Sequence, residues 1–245
     1  VEGLQREAGG KLTVFLGAAP GVGKTYTMLT RAQEQLRRGV DLVVAVVETH
    51  GRVDTQALLE GLPQLPLKGV AYHGHALQEM DLDAVLERHP ALVLVDELAH
   101  RNAPGSRHER RWQDVMELLD AGIDVWTTVN IQHLESLNDV VMRITGVRVS
   151  ETVPDGVLDR LHDIVLVDLP PRELIARLQQ GKVYVPEQAA QALQASLPPA
   201  NPPALRELAM PEAAHPVHTS QRQTPPAPGR GQPPPRRRVL SPTRG

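Results

Sequence analysis

The 245-residue chain contains no cysteine. That absence removes disulfides, thiolate metal sites and thiol nucleophiles. Aromatic residues make up only 2% of the chain, too few for the stacking platforms that hold single-stranded nucleic acid. An excess of positive charge is missing as well: the formal net charge is −3, so no global basic field draws in a polyanion. Nucleic acid is therefore not an expected partner. Long apolar runs are absent too. Segments such as 42–47 and 91–95 fall far below the roughly 20 residues that a bilayer-spanning helix needs. The first residues lack the basic, apolar and small-residue zones of a signal peptide. The expectation is a soluble, cytoplasmic protein with no direct membrane span.

What is present is concentrated in one stretch, LTVFLGAAPGVGKTY, residues 12–26. A short apolar run ends in a loop of small residues, and a helix-forming run follows. This is the strand–loop–helix layout of a phosphate-binding P-loop. Backbone N–H groups along Ala19, Pro20, Gly21, Val22, Gly23 and Lys24 can wrap a polyphosphate only where no Cβ blocks close approach, although Pro20 itself offers no N–H. Unpaired amides of the helix's first turn, at Thr25 and Tyr26, add a partial positive charge. Lys24 is expected to reach the β- and γ-phosphates, and the Thr25 hydroxyl to ligate Mg²⁺. ATP and Mg²⁺ are the expected cofactors. The strict pattern departs at one place, where Ala18 stands in the position of its first glycine and Gly17 precedes it.

Along the chain, apolar Val-rich runs alternate with helical patterns. Strands are expected at 12–16, 41–47, 91–95, 124–129 and 164–167. Helices are expected at 24–38, 55–62, 81–88, 113–120, 134–142 and 173–179, and residues 63–74 read as loop with room for a short strand. Such alternation implies an α/β fold, a mainly parallel sheet with helices on both faces. Ligands of such sheets bind beyond the strands' carboxyl ends. Residues 1–10 read as loose. From residue 196 onward the chain is Pro-rich with few large apolar side chains, the composition of a disordered tail. The domain itself is expected to span residues 11–190.

The run ALVLVDE, residues 91–97, is a buried strand ending in two carboxylates. Asp96 is expected to hold the Mg²⁺ through water, and Glu97 to orient or deprotonate an attacking water. The 41–47 strand lies in the chain between the phosphate loop and the acidic strand, an order that resembles the RecA- and AAA-related branch of P-loop ATPases. In that branch a polar residue on the next strand senses the γ-phosphate, and Asn130 is the candidate beside Thr127 and Thr128. The basic loop RNAPGSRHERR, residues 101–111, follows, with arginines that either meet phosphate charge or are simply solvated. The His73-Gly74-His75 run has no third ligand and reads as surface loop.

Four segments together carry a family resemblance: GKLTVFLGAAPGVGKTYTML, VVETHGR, the run from LVDELAHRNAPGSRHERR to NIQHLESLND, and ITGVRVSETVPD. They resemble the N-terminal cytoplasmic domain of the KdpD family of potassium- and osmolarity-sensing histidine kinases, over residues 11–188. The resemblance implies an ATP-binding domain that tunes a sensor's kinase/phosphatase balance. Lys24 and Thr25 match the phosphate and metal residues, and Asp96 the acidic partner. Other components of a Kdp-type sensor/response-regulator system are the implied partners. No transmembrane run or Gly-rich kinase box follows, so histidine autophosphorylation by this chain alone is not expected. The expected function is a regulatory ATP-binding module of potassium-responsive two-component signalling. The alternative is a stand-alone Mg-dependent ATPase or small-molecule phosphotransferase.

Overall fold

A computed structural model describes residues 9–72, 75–145 and 149–169. The expected helix at 173–179, the Pro-rich tail, most of the N-terminal stretch and the pair His73-Gly74 lie outside the described residues. The element order is β1 (Leu12–Gly17), α1 (Lys24–Arg37), β2 (Leu42–Val46), α2 (Val53–Ala57), β3 (Lys68–Tyr72), β4 (His75–Glu79), α3 (Leu82–Arg88) and β5 (Leu92–Val95). Then follow α4 (Arg111–Asp120), β6 (Asp124–Asn130), two 3₁₀ turns (Ile131–His133 and Glu135–Leu137), α5 (Asn138–Thr145), α6 (Asp155–Leu158) and β7 (Leu161–Val167).

Five strands form one parallel sheet in the order β2-β5-β6-β1-β7. The inner strands β1 and β5 and the edge strand β2 are buried along their whole length, and their successive side chains enter the cores on opposite faces of the sheet. Leu12, Val14 and Leu16 of β1 and Val93 and Val95 of β5 pack with Val85 of α3 and Val115, Leu118 and Leu119 of α4. Phe15 of β1 and Leu92 and Leu94 of β5 pack on the opposite side with Met28, Leu29 and Ala32 of α1. The expected mainly parallel α/β sheet, covered by helices on both faces, is thus observed. In space the strand that separates β1 from β5 is β6, while β2, formed by the 41–47 run, lies at the sheet's edge. A second, two-stranded antiparallel sheet joins β3 to β4.

Register fixes which residues share the carboxyl edge. Gly17 pairs with Asn130, and Val95 with Thr127. The ends of β1, β5 and β6 therefore arrive together, and the loops that follow them converge there.

Four local expectations are corrected. Gly10 is docked rather than loose: its N–H donates to the Leu119 carbonyl at 2.7 Å, and a Cβ there would meet the Ile123 carbonyl oxygen at 2.0 Å. The helix expected at 55–62 runs instead from Val53 to Ala57. Beyond it, tighter bonds from the N–H groups of Leu58, Leu59 and Glu60 to carbonyls three residues back replace the α pattern. Gln33 Nε2 also draws the Leu58 and Glu60 carbonyls away, at 2.9 and 2.8 Å. The helix expected at 134–142 begins only at Asn138. Leu134 is extended because it bridges to Val153, with Val153 N–H on the His133 carbonyl at 2.7 Å and Glu135 N–H on the Val153 carbonyl at 3.1 Å. Finally, the short strand within 63–74 is observed as β3, but it pairs with a further strand, β4, where no element was expected.

Candidate functional site

The loop after β1 turns through two glycines in left-handed backbone, Gly21 (φ 81°) and Gly23 (φ 99°), which a side chain would strain. Gly17 solves a different problem: a Cβ there would meet Val22 Cγ2 at 2.7 Å and Lys24 Cδ at 2.8 Å. The close approach of strand and loop thus falls on Gly17, and Ala18 is accommodated one position later with its methyl buried. Helix α1 starts directly from Gly23, with no side-chain cap and no acidic residue in its first turn. Its leading amides are left for an anion.

Around this loop lies a cleft of about 190 Å³ at the carboxyl edge of the sheet. Of the residues singled out from the sequence, Pro20, Gly21, Gly23, Lys24, Thr25, Glu97 and Asn130 line it. Ala19 and Val22 do not; they are buried in the core beneath the loop. Tyr26 is turned to solvent, 47% exposed, and its side chain takes no part in the lining.

The two motifs meet directly. The Thr25 hydroxyl donates to the Asp96 carboxylate at 3.0 Å. Its proton is thereby committed to Asp96, while its oxygen lone pairs stay available to a cation. Lys24 Nζ donates to the Asn130 side-chain oxygen. Asp96 is only 1% exposed and accepts further bonds from the Thr128 hydroxyl, from Glu48 N–H at 3.2 Å and from Glu97 N–H at 3.1 Å. Burial pushes its pKa upward, against the pull of the Thr128 hydroxyl. Asp96 is thus a hub that joins the ends of β2, β5 and β6 to the start of α1. Thr128 serves both acids, since its oxygen also accepts Glu97 N–H at 3.1 Å.

Burial lowers the Lys24 pKa to about 8, with Arg52 adding to the effect and the carboxylates of Asp96 and Glu97 opposing it. A buried ammonium in this condition gains from any anion that joins it. Glu97 sits in left-handed backbone (φ 57°), as does His50 (φ 51°), and the two touch across the cleft, His50 Nε2 to Glu97 Oε1 at 3.3 Å. That bond holds the Glu97 pKa below its usual range and raises that of His50. His133 Nδ1 donates to the Glu151 carbonyl at 2.7 Å, and burial lowers its pKa, favouring the neutral ring.

His50, Arg52, His100 and His133 all line the cleft and were not foreseen as site residues. A signal existed for the first two, because the polar cluster VETHGR follows a buried strand, where open α/β sheets keep their ligands. Nothing local marked His100 or His133. Conversely, the arginines of the 101–111 loop are absent from the lining. Among the described residues no group of three or more His, Asp or Glu side chains is arranged to hold a metal ion.

Fold and cleft together define a mainly parallel α/β domain compatible with a P-loop-like unit, with its polar residues gathered at the strands' carboxyl ends. The chain belongs to the KdpD family: the family model described as the osmosensitive K⁺ channel His kinase sensor domain matches residues 8–217. It is similar to the sensor protein KdpD of Escherichia coli, with 60% identity over 87% of this chain and 24% of that protein. It is 54% identical to the sensor protein KdpD of Mycobacterium tuberculosis, over 82% of this chain and 23% of that protein. A KdpD-named protein of Synechocystis sp. is 50% identical over 87% of this chain and 58% of its own length. The chain thus spans about a quarter of the first two relatives. No described helix is long and apolar enough to cross a membrane.

Proposed function

We propose that this KdpD-type sensor domain is a regulatory module that binds ATP with Mg²⁺ and reports its occupancy to other components of a potassium-responsive sensor/response-regulator system. The observation that carries the reading is the Thr25–Asp96 bond at 3.0 Å beside Lys24, in a cleft walled by Gly21 and Gly23. Main-chain amides and Lys24 supply positive groups for a polyphosphate. Mg²⁺ needs few protein ligands when phosphate oxygens and water complete its octahedron, which suits a single hydroxyl at Thr25 with Asp96 behind it. The low pKa of Lys24 supports the same reading, because a bound polyanion would stabilise its charge. The partner system follows from the family and from the relatives' names.

A titration of the chain with Mg-ATP by calorimetry tests this. Saturable heat and a thermal shift are expected. Their absence with nucleotide and metal both present would end the reading.

A second reading is a weak Mg-dependent ATPase or a small-molecule phosphotransferase. Glu97 favours it: this carboxylate lines the cleft, and its lowered pKa keeps it ionised as a base must be. Steady-state phosphate release that disappears in Glu97→Gln while Mg-ATP binding persists would establish it. No release above background would leave the binding module alone.

A further inference from the structure

The largest fully buried side chain among the described residues is an arginine. Arg111, the first residue of α4, is 1% exposed. Its Nη1 donates to the Asp96 carbonyl at 2.9 Å, and its Nη2 meets the Glu79 carboxylate at 3.3 Å. Its main-chain N–H also donates to the His100 carbonyl at 3.0 Å. Replacing a buried ion pair with apolar residues of similar volume is often neutral or stabilising. What this pair supplies is position.

Glu79 ends β4, in the hairpin that stands apart from the main sheet. It is 7% exposed, and its carboxylate has three partners. His100 Nε2 lies 3.1 Å from Oε1, Ala103 N–H donates to Oε1 at 2.7 Å, and Arg111 takes Oε2. Burial alone would push the Glu79 pKa up. His100, the Ala103 amide and Arg111 together outweigh it, and the group stays below its usual range.

His100 belongs to both worlds. It lines the cleft, and it holds Glu79. It also closes a tight turn with the cleft carboxylate residue, since His100 N–H donates to the Glu97 carbonyl at 2.9 Å. Any shift of the turn from Asp96 to His100 must therefore move a side chain bonded to the hairpin. A two-stranded hairpin alone is marginally stable in water and is readily disturbed by the loss of such an anchor.

We propose that the buried Glu79–Arg111–His100 cluster couples occupancy of the phosphate cleft to the β3–β4 hairpin and the 101–110 loop. Arg111 acts as a positioning residue for the Asp96–Glu97 turn, and Glu79 carries the displacement outward. The inference rests on the nucleotide-binding reading above, and it adds where the signal leaves the site.

Amide hydrogen exchange on the full chain, with and without saturating Mg-ATP, tests it, with calorimetry on the same samples. In the unmodified chain, exchange in β3, β4 and the 101–110 loop should change by at least about threefold. Glu79→Gln, which lies outside the cleft, should bind Mg-ATP within about threefold of the parent yet lose the hairpin response. His100→Ala, truncating a half-buried side chain, should lose the response too, and it decides the matter if Glu79→Gln does not fold. Saturation with a silent hairpin, or a response that survives both substitutions, overturns the coupling and leaves nucleotide binding standing. Failure of the unmodified chain to bind Mg-ATP removes both.

Discussion

Two groups of basic side chains lie near the same edge of the sheet, and their situations are opposite. In the 101–110 loop Arg101 and Arg107 are exposed and answered by acids. Arg101 meets Glu109 at 2.9 Å, Arg107 meets Asp83 at 2.6 Å and Glu117 at 3.2 Å, and His108 meets Glu117 at 2.7 Å. In the cleft, Lys24 is desolvated, leans on the neutral amide of Asn130 and has its pKa lowered to about 8. The more conspicuous run of charge is thus already answered at Arg101, Arg107 and Arg111. The single lysine at a glycine-lined helix start is the one that an anion would relieve.

Arg111 departs from its neighbours, because it closes the basic run in sequence but is buried. Arg111→Ala leaves the Glu79 carboxylate buried without its cation and should cost about 3–5 kcal/mol, read as a fall in denaturant midpoint. A loss no larger than that at an exposed arginine would return Arg111 to the solvated group. Next in size is Lys24→Ala. Loss of one charged contact to phosphate should weaken Mg-ATP by about 10- to 100-fold in a calorimetric titration. Unchanged affinity would mean that the cleft is not where the phosphates lie.

A pH series sharpens the contrast further. The Lys24 pKa falls from 10.5 to about 8 on folding, so between those values the unfolded chain holds more protons than the folded one. Stability from this group should rise with pH through that window and flatten in Lys24→Met. A bound polyanion would raise the pKa again, so Mg-ATP binding near pH 8.5 should take up protons, seen as heat that varies with buffer ionisation enthalpy. Proton release or no exchange would contradict this assignment. The smallest effect is expected at Arg101→Ala: an exposed pair, worth about 0.5 kcal/mol or less in stability, with Mg-ATP affinity moved less than about twofold.

The legible part of the molecule was the part set by local rules. Alternating apolar runs and helix patterns gave the sheet, and Gly21, Gly23, Lys24 and Thr25 marked the loop because close approach constrains residue type there. Asp96 was legible as the acid at the end of a buried strand, and its contact with Thr25 is observed. What escaped depends on distant partners. Arg111 reads as one charge among several until Glu79, 32 residues away, is brought against it. The β4 strand, His75–Glu79, is short and polar at its end, and it is held by antiparallel pairing with β3 and by the burial of Glu79. Leu134 carries a helical pattern but is held extended by Val153. Left-handed backbone at His50 and Glu97 has no signature in residues of those types, and it appears where the two meet across the cleft.

In the proposed function a triphosphate and its metal meet at Lys24, Thr25 and Asp96. A crystal structure of the chain with Mg²⁺ and a non-hydrolysable ATP analogue tests this most directly. The expected result is a terminal phosphate oxygen about 3 Å from Lys24 Nζ, with the metal on Thr25 Oγ1 and Asp96 reached through water. Analogue density elsewhere on the chain, or a metal with no Thr25 ligand, would contradict it.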